Sequence, residues 1–155
     1  MYQTDFVIDK DKLEVTTART FKASAKRVFA AHTDPEQITQ WWGPSYLITT
    51  VDKLELKVGG AWRFVQKAPD GNVHAFRGIF KEIDEPTKLV STFEYEPMAG
   101  HVLTQTATFN EQPDGSTKFK VVAKYDSLED LQGMVDMDME AGEREGMERL
   151  AKLVE

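Results

Sequence analysis

Arg19, Gln105 and Tyr125 are the side chains with the clearest capacity for chemistry, because each is a polar group at a position whose strand parity is otherwise apolar. A largely apolar pocket needs a few such groups to orient a bound molecule. A Tyr, an Arg or a carboxylate facing a cavity can also act as acid or base. Burial demands a partner for each, and Arg19 paired to an acid such as Glu94 or Glu96 is the purely structural alternative. Conventional catalytic spacings are absent. His32, His74 and His101 stand far apart with no H-x-x-x-H arrangement, so a metal site would have to be assembled from distant elements. No G-x-S-x-G elbow, phosphate loop or dinucleotide fingerprint occurs. Gly59-Gly60 reads as a turn entering a strand, since neither a Lys-Ser/Thr pair nor a helix follows it. With no cysteine in the chain, thiol nucleophiles, disulfides and thiolate ligands are excluded. No catalytic residue, metal or cofactor is assigned, and the sequence argues against an enzyme more than for one.

Large apolar side chains are better represented. Strand parity places Trp62, Phe64, Phe76, Phe80, Phe93, Tyr95, Leu103, Gln105, Phe119, Val121 and Tyr125 on one inner face. An aromatic stripe of this kind ordinarily forms core. Four methionines, Met134, Met137, Met139 and Met147, fall in the C-terminal segment. Their flexible thioethers suit either a wall that adapts to apolar ligands or ordinary gap filling. Trp41 and Trp42, adjacent on a helix, must point different ways, one inward and one to a rim or surface.

These residues need elements to hold them. Leu13 to Phe21 alternates as a first strand. Ser24 caps a short helix to about Ala31, and Asp34-Pro35-Glu36 starts a second that Gly43-Pro44 ends. Six strands follow: Tyr46 to Leu56, Ala61 to Lys67, Val73 to Ile83, Lys88 to Glu96, His101 to Asn110 and Ser116 to Tyr125. Asp70-Gly71 and Asp114-Gly115 supply turns. Ser127 and Asp130 form a capping-box-like start to one helix of about 27 residues ending near Val154. Its stripe of Leu128, Leu131, Val135, Met139, Gly142, Gly146, Leu150 and Leu153 faces the sheet. Gly142 and Gly146 on that stripe mean either close approach of helix to sheet or a gap left there. The acidic residues Glu129, Asp130, Asp136, Asp138, Glu140, Glu143, Glu145 and Glu148 read as a solvated face, with docking to a basic partner as the alternative.

The run from Asp34 through Trp41-Trp42-Gly43-Pro44, with Val58-Gly59-Gly60-Ala61-Trp62-Arg63-Phe64 and Pro69-Asp70-Gly71, resembles the proteins similar to the C-terminal domain of the activator of heat-shock protein 90 ATPase. That family belongs to the START-like (SRPBCC, helix-grip) superfamily. The resemblance implies an α+β helix-grip fold: a curved antiparallel sheet wrapped around a long C-terminal helix, with two short helices after the first strand. It covers 1–155 as one domain, with a core of about 13–154. Members commonly keep a cavity between sheet and helix. The ligand-binding residues expected there are Trp41, Trp42, Trp62, Phe64, Phe76, Phe80, Phe93, Tyr95, Gln105, Tyr125, Met134, Met139, Gly142 and Gly146.

The expected function is binding of an apolar or aromatic small molecule in that cavity. The alternatives are a chaperone-associated, stress-response protein related to the ATPase activator, and a cyclase-, hydrolase- or resistance-type enzyme using the same cavity. Activators of that type carry a separate N-terminal chaperone-binding domain, for which 155 residues leave no room. A formal net charge of -7 repels a polyphosphate backbone, so nucleic acid is not an expected partner. No apolar run nears the ~20 residues of a membrane span. Met1-Tyr2-Gln3-Thr4-Asp5 lacks the basic start and apolar stretch of a secretory signal, so a cytoplasmic location is expected. A homodimer is compatible with the sequence but unmarked in it.

Overall fold

Local sequence signals set the helices between sheet segments. In the computed structural model, which describes residues 3–155 and so leaves Met1 and Tyr2 outside, Ser24 caps α1 (Ala25–Thr33) by accepting from the Arg27 N–H at 3.1 Å. Asp34 serves two helices at once. Its own N–H donates to the Ala30 carbonyl at the end of α1, while its Oδ1 accepts from the Glu36 N–H at 3.0 Å to start α2 (Pro35–Trp41). Such caps satisfy backbone groups that the helices cannot pair internally. Gly43, at a φ of +86°, takes the left-handed conformation that follows α2.

The strands are β1 (Asp5–Asp9), β2 (Glu14–Phe21), β3 (Ile48–Leu54), β4 (Ala61–Lys67), β5 (Val73–Asp84), β6 (Lys88–Tyr95), β7 (Val102–Glu111) and β8 (Thr117–Lys124). They form one curved antiparallel sheet in the order β1-β2-β8-β7-β6-β5-β4-β3. β3 and β1 are therefore its free edges, and the β3 register shifts between Val51 and Lys53. The α+β helix-grip architecture is as expected, with two corrections. First, β1 precedes the strand read as the first, so the two short helices follow the second strand. Asp9 Oδ1 accepts from the N–H groups of Asp11 and Lys12, both at 3.1 Å, and closes the β1–β2 turn.

Second, the C-terminal segment is not one helix. α3 (Leu128–Asp136), capped by Ser127, stops at Met137, and α4 (Met139–Val154) begins after Asp138, whose φ is +59°. The reason lies in what each half packs against. Leu131 of α3 joins Val15, Leu103, Ala123 and Tyr125 in one apolar cluster, whereas Met147, Leu150, Ala151 and Val154 of α4 join the larger one around Phe21, Phe29, Phe109 and Phe119. The break lets α3, with Met139 at the start of α4, pack on the first cluster while the rest of α4 packs on the second.

Candidate functional site

Between the concave face of the sheet and α4 lies a pocket of about 630 Å³, bordered at one end by α2 and the loop after it. All fourteen residues named from sequence as ligand-binding line it. Their arrangement follows from pairing in the sheet. Phe64 stands opposite Phe76 and Phe76 opposite Tyr95, so neighbouring strands carry their rings side by side. Ring centroids lie 4.7 Å apart for Trp62 and Phe64, 5.4 Å for Phe76 and Phe93, and 5.1 Å for Phe76 and Tyr95. These are ordinary tilted aromatic contacts. Trp62 lies opposite Gly78, where any Cβ would run into its indole and the Thr92 carbonyl. Its Nε1 is buried and bonds to none of the described residues.

The two adjacent tryptophans separate. Trp41 is buried and donates from Nε1 to the Ala31 carbonyl at 2.8 Å. Trp42 is half-buried and stands edge-on to Phe64 and Phe76, at 5.1 and 5.2 Å. Exposed Tyr46 and Met137 also line the pocket and give its mouth an apolar rim. Met134, Met139 and Met147 form more of the wall.

α4 leaves the space that these rings enclose. A Cβ built at Gly142 or at Gly146 meets no atom within 4 Å outside its own stretch of helix and its chain neighbours, although Gly146 is itself buried. Of the two readings of these glycines, the gap is the one the structure takes.

The polar groups of the pocket depart most from the sequence reading. Gln105 and Tyr125 line it, but Arg19 does not. Nor does Arg19 pair with Glu94 or Glu96, which are held by Arg77 at 2.8 Å and Arg63 at 2.7 Å. Arg19 is buried, and its Nη1 reaches the Met147 carbonyl at 3.4 Å and Glu148 at 3.3 Å, with the guanidinium over Phe21. β2 is too far along the sheet from β5 and β6 for the pairing with their acids.

Glu143 is the principal residue that sequence reasoning missed. Read as part of a solvated face, it is instead half-buried and lines the pocket. It forms no salt bridge with the described residues. Removal from bulk water disfavours its charged form and pushes its carboxyl up to about 7. Burial, and then the Glu143 charge, push the Tyr125 hydroxyl above its usual range, and that hydroxyl lies 3.9 Å from Met139 Sδ. The spacing held a signal: Met139, Glu143 and Met147 recur every four residues, so a face presenting both methionines to the sheet also presents Glu143.

His32 and His74, unassigned from sequence, also reach the pocket. His32 donates from Nδ1 to the Val28 carbonyl at 2.8 Å, which leaves Nε2 as the acceptor of a neutral ring. Burial among Trp41, Phe109 and Phe119 pushes it down to about 4, against the smaller opposing effect of that carbonyl. His74 Nδ1 is 2.7 Å from the Tyr95 hydroxyl. Gln66, buried against Gly43, adds an amide. His101 is elsewhere, paired with Asp130 at 2.7 Å.

Comparison with known proteins places this geometry. A family model described as "Activator of Hsp90 ATPase homolog 1-like protein" matches residues 22–155. A protein from Arthrobacter aurescens, solved by solution NMR, is similar at 28% identity, with 97% of this chain and 90% of that one covered and a TM-score of 0.89. A Mycobacterium smegmatis protein is similar at 28% identity, covering 98% and 96% of the two chains, with a TM-score of 0.88. An HSP90 activator from Plasmodium falciparum shares the fold at 22% identity, covering 73% of each chain, with a TM-score of 0.57. No curated protein matches the sequence significantly.

Proposed function

Because the chain belongs to the Activator of Hsp90 ATPase homolog 1-like protein family, we propose that it is a member that holds an apolar or aromatic small molecule between its sheet and its C-terminal helices. The observation that carries this reading is the pairing of a 630 Å³ pocket with a glycine wall that leaves it open. Drug-sized ligands occupy pockets of roughly 300–1,000 Å³ lined mainly by apolar and aromatic side chains with a few polar groups. Titration with the neutral fluorescent probe N-phenyl-1-naphthylamine, read from the probe's own emission, tests it. Saturable one-to-one binding, weakened by Trp42→Ala at the rim, is expected. A non-saturating response that Trp42→Ala leaves unchanged overturns the reading.

A second reading is association with a chaperone, supported by the family description and by the fold shared with the Plasmodium falciparum activator. Stimulation of an ATPase requires preferential binding to one chaperone conformation. Screened charges on an acidic surface contribute little each to such a choice. We therefore expect weak binding without activation. An ATPase assay with the chaperone of the same organism decides between the two, since several-fold, saturable stimulation at micromolar protein would make this the leading reading.

A further inference from the structure

The charge of the pocket is one-sided. Asp138, Glu143 and Glu145 line it, and no Lys or Arg among the described residues does. The arginines near α4 are bonded elsewhere: Arg19 to the Met147 carbonyl and Glu148, Arg144 to Glu140 and the Thr4 carbonyl, Arg149 to the carbonyls of Gln40 and Gly43. Glu145 is also occupied, accepting from the Ser45 N–H at 2.7 Å, and Asp138 is exposed at the helix break. Glu143 is left as a shielded carboxylate without a cation among the described residues, on the wall that faces Tyr125 and the aromatic rings. Resting on the ligand-binding reading above, we infer that the pocket selects an apolar, aromatic molecule bearing a protonated amine, with Glu143 as the group that receives the amine.

Three features of the site support this chemistry. A shielded carboxylate without a counter-charge is costly, and an incoming ammonium removes that cost while forming a charge-assisted hydrogen bond. The rings of Trp42, Trp62, Phe64, Phe76 and Phe93 line the same space, and aromatic rings attract a cation placed over them. An organic anion entering the same space meets Glu143 with no positive group in the lining to offset the repulsion, so fatty acids and aryl carboxylates are rejected.

The titratable groups facing this space are few. His32 from α1 is pushed down to about 4 by burial and stays largely neutral between pH 5 and 8. His74 and Tyr95 from β5 and β6 bond to each other, Tyr125 follows directly after β8, Tyr46 comes from the mouth, and Asp138 and Glu145 from either side on the helical wall. Glu143, whose carboxyl titrates near 7, is the one expected to link binding to pH between 5 and 8.

The test uses three ligands on one aromatic body: 1-naphthylmethylamine, 1-naphthylmethanol and 1-naphthoate, each titrated calorimetrically into the intact protein. At pH 8 the amine is expected to bind about ten- to a hundredfold more tightly than the alcohol, the increment of a hydrogen bond to a charged group, and naphthoate more weakly than either. Between pH 8 and 5 the amine's advantage should shrink towards nothing as Glu143 takes up its proton, while the alcohol's affinity stays level. Glu143→Gln should bring the amine down to the alcohol's affinity and abolish the pH dependence of the preference. Alcohol binding as tight as the amine's at pH 8, or an amine preference that survives at pH 5 or in Glu143→Gln, overturns the inference and leaves the ligand-binding reading standing. If none of the three binds, that reading fails as well. Should Glu143→Gln not fold, the wild-type pH profile decides alone.

Discussion

Gly146→Leu turns the glycine wall into a measurement. The backbone at Gly146 is helical, and a Cβ there meets nothing within 4 Å beyond its own helix, yet the position is buried and lines the pocket. Replacing Gly by Leu inside a helix gains about 0.8–1 kcal/mol from backbone entropy. Burying the isobutyl group against the aromatic wall would add about 1.5–3 kcal/mol if complete. Because the pocket opens to solvent at Tyr46 and Met137, roughly half of that is expected, for a total of about 2 kcal/mol. A chain of this size gains about 2–4 °C in Tm per kcal/mol, so calorimetry should show an increase of several degrees. Gly146→Ala calibrates the helix contribution alone, with about 1 kcal/mol and a smaller rise. In the same samples, affinity for N-phenyl-1-naphthylamine should fall at least about tenfold for Leu and little for Ala, since the branched chain fills space the probe needs. Had the helix been in tight contact with the sheet, the Leu variant would instead lose about 1–3 kcal/mol. A lower Tm for both variants refutes the open wall. A higher Tm with unchanged probe affinity refutes the assignment of that space to ligand.

Glu143→Gln also predicts a change in stability with pH. The Glu143 carboxyl titrates near 7 in the native protein against an ordinary 4.5, so its contribution is fully present below 4.5 and is lost as pH rises through 7. Relative to wild type, the Gln variant should therefore gain about 1–3 kcal/mol between pH 4 and pH 8, read by urea unfolding at each pH. His32 acts in the opposite direction: held near 4 against 6.5, it withdraws stability as pH falls from 6.5 to 4, so removing Glu143 should steepen the acid side of the profile. Equal profiles for the two proteins would show that the Glu143 carboxyl holds its proton no more tightly in the folded chain than in the unfolded one, and so is not shielded. Gly78→Ala should cost more than 2 kcal/mol, roughly the scale of an overpacked core site, because its methyl collides with the Thr92 carbonyl and the Trp62 indole; a fully stable variant in thermal unfolding would mean the indole can move aside.

The strands were legible because pleated, half-buried elements write alternation into the sequence, and because Asp-Gly turns at Asp70-Gly71 and Asp114-Gly115 separate them. β4 spans Ala61–Lys67 as read, and the other strands read from sequence differ from their expected ends by at most two residues. β1 was not legible, since Phe6, Val7 and Ile8 run consecutively and carry no period of two. The break in the C-terminal helix was hidden for a different reason. Its left-handed residue is Asp138, not Gly, and the apolar stripe continues in step across it. The aromatic lining could be read because strand parity assigns whole rows of side chains to one face at once. Glu143 could not be separated from its acidic neighbours by composition, since only packing of α4 on the sheet decides which carboxylate is enclosed.

An open sheet that grips helices, rather than closing on itself, leaves two rows of unpaired backbone groups, and such rows template the addition of foreign strands. On one side β3 offers no long flat run: its register shifts between Val51 and Lys53, and Asp52, at the shift, is held to Arg63 at 3.3 Å. A strand adding there would have to straighten the irregularity and bury a charge pair. On the other side β1 is only five residues long and begins and ends on Asp. Protection against edge-to-edge pairing thus falls to a handful of acidic positions and one slipped register, on the strands next to those that line the pocket.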